Sequence, residues 1–252
     1  SNCMFVANAS PSIGVVSANA KNLLIDCKVL DSLGHGIELA DKNRSTFLVV
    51  SNCTVEGVNV SSCAVSVQQS TSKADVVQTL KAYNSVFKGP IAGSGDFYNC
   101  LITGANSSTL PTVFCNASRA TNKDGLVIPL NLYNCTVINN VSTYSKSGNV
   151  AGGYVNAYNT IIRDNTAPAD KVDELATAVN CCLSDTATAT TETDCIREDP
   201  ALYLGTDAYR PEDSGKFLVL GERAAEVAER QEKMLVFTQY REMCEPLADY
   251  LA

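Results

Sequence analysis

Over most of the chain the apolar residues come in short runs rich in Val, Ile and Thr, closed off by Asn, Ser and Gly. Such runs read as β-strands punctuated by turns. The stretch Leu132-Tyr133-Asn134-Cys135-Thr136-Val137-Ile138-Asn139-Asn140 shows the unit clearly. No segment of useful length with the 3.6-residue helical period separates the runs, so leucine-rich and helical repeats fit poorly.

The runs align on one Asn, once replaced by Asp. The copies start at Asn2, Asp26, Asn52, Asn84, Asn99, Asn134, Asn159 and Asn180, with steps of 24, 26, 32, 15, 35, 25 and 21. Repeats of that size point to an array or solenoid. With strands and turns only, the expected class is mainly β, a parallel β-solenoid in which equivalent side chains stack in ladders. The unequal steps are read as loops inserted at one corner, with the 15-residue step a short or misaligned coil. The expected structural ladder comprises Cys3, Cys27, Asn52, Cys53, Asn99, Cys100, Asn134, Cys135, Asn159, Asn180 and Cys181. Asn at a turn can satisfy neighbouring backbone amides, and Cys can fill a narrow core as a small hydrophobe.

These residues resemble the right-handed parallel β-helix repeat proteins, especially bacterial secreted ones. The best-matching stretch runs from Asn134-Cys135-Thr136-Val137 through Gly152-Gly153 to Tyr158-Asn159-Thr160-Ile161-Ile162. The resemblance covers about residues 1–185 and implies a right-handed β-helix. It does not choose among polysaccharide lyases, hydrolases, adhesins and surface proteins.

From Ser214 the pattern changes. Phe217, Leu220, Ala224 and Val227 follow at helical spacing, with charged residues opposite. Residues 234–238, Met-Leu-Val-Phe-Thr, form a continuous apolar run of the kind found in a buried parallel strand, and 240–251 look helical again. An α-β-α segment is expected. Asp213-Ser214-Gly215-Lys216-Phe217 and Leu235-Val236-Phe237-Thr238-Gln239 resemble the second RecA-like lobe of bacterial Swi2/Snf2-type helicases. That likeness implies a motif IV-like position for Gln239. The phosphate-cradling G-x-x-x-x-G-K-[ST] loop is missing, so no ATPase activity is expected of this segment alone.

Charge sharpens the division. Residues 1–195 hold 12 Lys/Arg and 15 Asp/Glu, whereas 196–252 hold 7 and 12. All 21 asparagines precede Cys195. The expected organisation is a β-helix over 1–195, a junction over 196–213 and a partial RecA-like α/β fragment over 214–252. The two likenesses imply different compartments: extracellular or cell-surface for the first, cytoplasmic for the second. The net charge of −8 argues against a general nucleic-acid or anionic-membrane surface. No run of 18 apolar residues marks a membrane span, and nothing after Ser1 reads as a signal peptide.

Candidate chemistry is sparse. His35, the sole histidine, lies in Gly34-His35-Gly36-Ile37, which resembles one motif of polygalacturonase-type β-helix hydrolases. With Asp31, Glu38 and Asp41 it forms the weak catalytic candidate set; a turn role for His35 is the other reading. Glycoside hydrolysis needs a second carboxylate on a neighbouring coil, and the preceding coil has none. No C-x-x-C spacing suggests a metal, and no cofactor is expected. A disulfide between Cys182 and Cys195 is open. Tyr83, Tyr98, Tyr133 and Tyr158 either form a sugar-stacking stripe or flank the strands. The functional expectation is a non-catalytic module binding a glycan or a cell-surface protein. The alternatives are a polysaccharide lyase or hydrolase, and a helicase-related fragment or fusion.

Overall fold

A computed structural model describes residues 2–6, 13–14, 21–57, 62–197 and 215–230. The chain divides into two compact units, Ser1–Arg197 and Glu198–Ala252.

In the first unit almost every strand pairs in parallel with its equivalent one coil away, and three stacked sheets result. Sheet A contains β1 (Met4–Val6), β4 (Lys28–Ser32), β7 (Thr54–Gly57), β10 (Val86–Lys88), β13 (Leu101–Thr103), β17 (Thr136–Ile138), β21 (Ile161–Ile162) and β23 (Cys182–Leu183). Sheet B contains β2 (Ile13–Gly14), β5 (Ile37–Leu39), β8 (Val65–Val67), β11 (Ile91–Ala92), β15 (Val113–Phe114) and β19 (Val150–Ala151). Sheet C contains β3 (Lys21–Ile25), β6 (Thr46–Ser51), β9 (Gln78–Tyr83), β12 (Gly95–Tyr98), β16 (Leu130–Tyr133), β20 (Val155–Tyr158), β22 (Glu174–Val179) and β24 (Thr188–Thr193). A short pair, β14 (Asn106–Ser107) and β18 (Val141–Ser142), sits outside them. The arrangement is mainly β, all-parallel and solenoid-like.

Alternation along each strand builds the core. In sheet A, Val29, Val55, Phe87, Ile102, Val137, Ile162 and Leu183 are all fully buried and stand in one register column. In sheet C, Leu48, Leu80, Leu130 and Val155 point inward, as do Val50, Ala82, Phe97, Leu132 and Ala157. Side chains of period two place the intervening residues on the outer face.

The corner between sheets C and A explains the repeated Asn. Asn2, Asp26, Asn52, Asn84, Asn99, Asn134, Asn159 and Asn180 all have φ between 49° and 55°. Asn and Asp are the non-glycine residues that tolerate the left-handed region best. These side chains are exposed, so their value lies in backbone conformation and not in a buried amide ladder. The buried amides stand at the next corner instead: Asn140 is fully buried and bonds the Ala105 N–H, the Ile102 and Ile138 carbonyls and Asn165.

The following residue needs a group that both donates and accepts. The thiols of Cys27, Cys53, Cys100, Cys135 and Cys181 each donate to the carbonyl two residues back, at 3.1–3.4 Å. The Cys53 sulfur accepts the Cys27 N–H, the Ser85 hydroxyl accepts the Cys53 N–H, and the Thr160 hydroxyl accepts the Cys135 N–H. Cys, Ser and Thr are therefore one functional class here, and the thiol acts as a bulky hydroxyl rather than a plain hydrophobe.

One sequence expectation is corrected, and one open alternative is decided. The ladder does not end at Asn180-Cys181: Asp194 has φ 50°, and Ile196 bridges Cys182 in parallel, giving a ninth rung. Its 14-residue step and its Asp hid it. The 15-residue step is a true short coil, with Val86 opposite Leu101 and Tyr83 opposite Tyr98 in unbroken register. In the second unit α2 (Gly215–Glu229) occupies the expected helical stretch, with Leu220, Ala224 and Val227 half-buried. The expected strand at 234–238, the helix at 240–251 and Gln239 lie outside the described residues.

Candidate functional site

The outer face of sheet C carries a second set of ladders. The last residues of β9, β12, β16 and β20 are Tyr83, Tyr98, Tyr133 and Tyr158. Parallel register brings their rings into one stack, with centroids 5.0, 4.8 and 5.0 Å apart and planes within 10° of parallel. The spacing is that of the strands themselves, about 4.8 Å. All four are half-buried and stand outside the core. Each inner ring gives both faces to its neighbours, so the stack shows solvent its edges and hydroxyls. A platform on which sugars lie flat against ring faces is therefore not what these residues build. Burial, and then the charge of Asp96, push the Tyr98 and Tyr133 hydroxyls above their ordinary value, so they stay protonated donors.

Two residues before each Tyr stands a polar partner. Asn156 donates to Asn131 Oδ1 at 2.9 Å, and Asn131 donates to Asp96 Oδ1 at 2.8 Å. Lys81 Nζ lies 3.7 Å from Asp96 Oδ2. The result is a hydrogen-bonded row, Lys81–Asp96–Asn131–Asn156, running beside the rings. The polar-x-Tyr signal was visible in the sequence as Lys81-Ala82-Tyr83, Asp96-Phe97-Tyr98, Asn131-Leu132-Tyr133 and Asn156-Ala157-Tyr158.

The weak catalytic set falls apart into separate roles. Asp31 is exposed, with φ 52°, at an irregularity near the end of β4, and Gly104, Asn139 and Asp164, which follow later strands of sheet A, have a similar φ. Asp41 accepts the Asn43 N–H at 2.8 Å, a local turn bond. His35 and Glu38 do come together. His35 Nδ1 accepts the Cys63 N–H at 3.0 Å, while the Ser32 hydroxyl donates to the His35 carbonyl. The neutral ring must then carry its proton on Nε2. Burial holds its pKa below the ordinary value, with Glu38 opposing and Arg119 assisting.

Arg119 was not among the sequence candidates. It sits on α1 (Ala117–Ala120), which Asn116 caps by accepting the Arg119 N–H. The Arg119 carbonyl accepts the Gln69 N–H at 3.2 Å, and its Nη1 donates to Ser66 Oγ at 3.3 Å. Ser66 faces Glu38 across the β5–β8 ladder. No local spacing could have announced a partner 84 residues from His35 in sequence.

The thiols are poorly suited to nucleophilic or metal chemistry. Burial pushes Cys63 up to about 11, Cys115 to about 12 and Cys181 to about 11. A hydrogen bond with the Cys135 thiol, and then burial, push Cys100 up, while the same bond holds Cys135 down. No disulfide joins the described cysteines. Register places Cys195 against Cys181, not Cys182, which removes the geometry for the bond left open above. Among the described residues no group of three His, Cys, Asp or Glu can hold a metal, and no helix is long and apolar enough to cross a membrane. A scan against protein-family models, a search of curated proteins and a search of solved structures each return no match.

Proposed function

We propose that the chain is a right-handed parallel β-helix module, exported or displayed at a cell surface, that binds an extended glycan along the outer face of sheet C without cleaving it. The observation that carries this reading is the pair of parallel ladders, the stack of four tyrosines beside the Lys81–Asp96–Asn131–Asn156 row. Together they offer protonated hydroxyls, amide donors and amide acceptors repeating at one spacing along one line. A polymer with hydroxyls on a short axial repeat can satisfy such a row at several rungs at once. The face is held in place by the strands, so little ordering entropy opposes binding. The one carboxylate of that row, Asp96, is already engaged by Lys81 and Asn131, whereas glycoside cleavage asks for two working carboxylates. Export rests on the likeness of the Asn-Cys coils to secreted β-helix repeats.

The test is a glycan array that includes a pectin panel, with products assayed in parallel. Retention of linear glycans by the wild type, lost in the Tyr133→Ala and Asn131→Ala variants and without product release, supports the reading. Cleavage products would replace it with an enzymatic one. Binding unaffected by both substitutions would sink the assignment to this face, and capture of protein ligands alone would redirect it to protein recognition.

A further inference from the structure

The outer side of sheet B holds a polar cluster of a different kind. The outward column there reads Gly14, Glu38, Ser66, Ala92, Phe114 and Ala151 in successive coils. Four of these six are small or apolar, so the charge is confined to Glu38, near one end. Over that end α1 places Arg119, anchored through its carbonyl to Gln69 and through Nη1 to Ser66. His35 adds an Nε2 proton, because Nδ1 is taken by the Cys63 N–H. Arg119 and Glu38 are near enough to act electrostatically on both His35 and Cys63, yet they form no ion pair with each other. Among the described residues the Glu38 carboxylate has no hydrogen-bond donor, and the Arg119 guanidinium has only Ser66.

A half-buried cation and anion held apart on one rigid face match a ligand that carries the opposite pattern. A guanidinium with free N–H groups takes a carboxylate in a forked geometry. The Nε2 proton of His35 adds a neutral donor on the same side. Glu38 offers an acceptor for a hydroxyl or ammonium group, and it disfavours a dianion such as phosphate. We infer that His35, Glu38, Ser66 and Arg119 bind a small monocarboxylate with a hydrogen-bond donor on the adjacent carbon, an α-hydroxy or α-amino acid. Arg119 and His35 hold the carboxylate, and Glu38 holds the donor. Ser66 keeps the guanidinium in position. This site lies on sheet B and does not depend on glycan binding at sheet C.

The chain's single histidine makes the test direct, since its imidazole NMR signals need no assignment. The full chain is titrated with glycolate, glycine, acetate and methylammonium. Saturable shifts of the His35 signals by glycolate or glycine, with acetate and methylammonium at least about tenfold weaker, are expected. Glycolate alone identifies the hydroxy acid, glycine alone the amino acid, and both support the shared chemistry. Arg119→Gln should abolish the response and Glu38→Gln weaken it about tenfold, with far-UV circular dichroism confirming the fold of each. Tyr133→Ala should leave it unchanged. No saturable shift with either acid, equal binding of acetate, or an unaltered response in Arg119→Gln would overturn the assignment.

Discussion

The coil from Asn84 to Asn99 and the one from Asn99 to Asn134 perform the same structural task with 15 and 35 residues. The short one turns all its corners with backbone alone: Asn84, Gly89, Gly93 and Gly95 have φ of 49°, 131°, 111° and 151°. The absence of a side chain at Gly95 leaves room for the Phe97 ring, which packs edge-on against Phe87 at 5.5 Å. The long coil keeps the same strands and register but inserts α1 and its flanking loop between sheets B and C. The short coil closes without any such insertion, and it is the insertion that delivers Arg119 to the sheet B face. Closure is thus a property of a few permissive residues, whereas chemistry enters through extra chain.

The contrast can be broken most severely at Gly93. A Cβ there would lie 1.7 Å from the Val67 carbonyl oxygen, and the backbone has φ 111°. Gly93→Ala is expected to cost about 4 kcal/mol in urea unfolding, from overpacking and backbone strain together. Gly104→Ala, in the long coil, meets nothing within 4 Å at φ 64° and should cost about 1 kcal/mol, with Gly104→Asn close to neutral. Equal losses at the two glycines would refute the closure argument.

Next in size is Asn140→Ala, one residue past the corner position that Asn139 shares with Gly104. It orphans the buried Ala105 N–H and two carbonyls, an expected loss of about 3 kcal/mol. The thiol ladder separates the two coils less sharply. Cys53→Ala should cost about 1–2 kcal/mol by stranding the Cys27 N–H, while Cys53→Ser should cost under about 1 kcal/mol because Ser85 already fills this position one rung on. If Ser proves as damaging as Ala, the sulfur matters for volume and not for its bonds.

The smallest effect is electrostatic and belongs to the inserted segment. His35 is held below its ordinary value of 6.5, chiefly by burial. Just below that value the unfolded chain takes up a proton that the folded chain refuses, so stability falls as pH drops from there through the folded pKa. Arg119→Gln should raise the His35 midpoint and narrow that loss, and Glu38→Gln should lower the midpoint and widen it. An NMR pH titration of the single imidazole reads both, and shifts of the opposite sign would contradict the placement of Arg119.

Local backbone demands were legible in the sequence, and distant meetings were not. The Asn-Cys pairs announced one corner because only Asn and Asp fit it readily. The next corner escaped notice because Gly104, Asn139 and Asp164 meet the same demand with three residue types. Asp31 resembled a catalytic candidate when it stands at an irregularity of β4 with a similar φ. Asp194 lies inside the expected β-helix, but its rung escapes an alignment on Asn because Asp stands there and the step is only 14 residues. The tyrosines were found, but their orientation was not, since sequence spacing cannot tell a stacked face from an exposed one. His35 and Glu38 are neighbours in sequence and fall in one candidate set with Asp31 and Asp41; Arg119 reaches them only through three sheet registers and a helix.

The tyrosine stack also gives the molecule an optical signature. The chain has ten tyrosines and no tryptophan, so its intrinsic near-ultraviolet absorption and emission come chiefly from phenol rings. Four of those rings are held within 10° of parallel with neighbouring centroids 4.8–5.0 Å apart, close enough for their transitions to couple. The circular dichroism of this one row should therefore exceed that of four isolated phenols. A ligand that settles along sheet C or pries two rungs apart would be seen without any label.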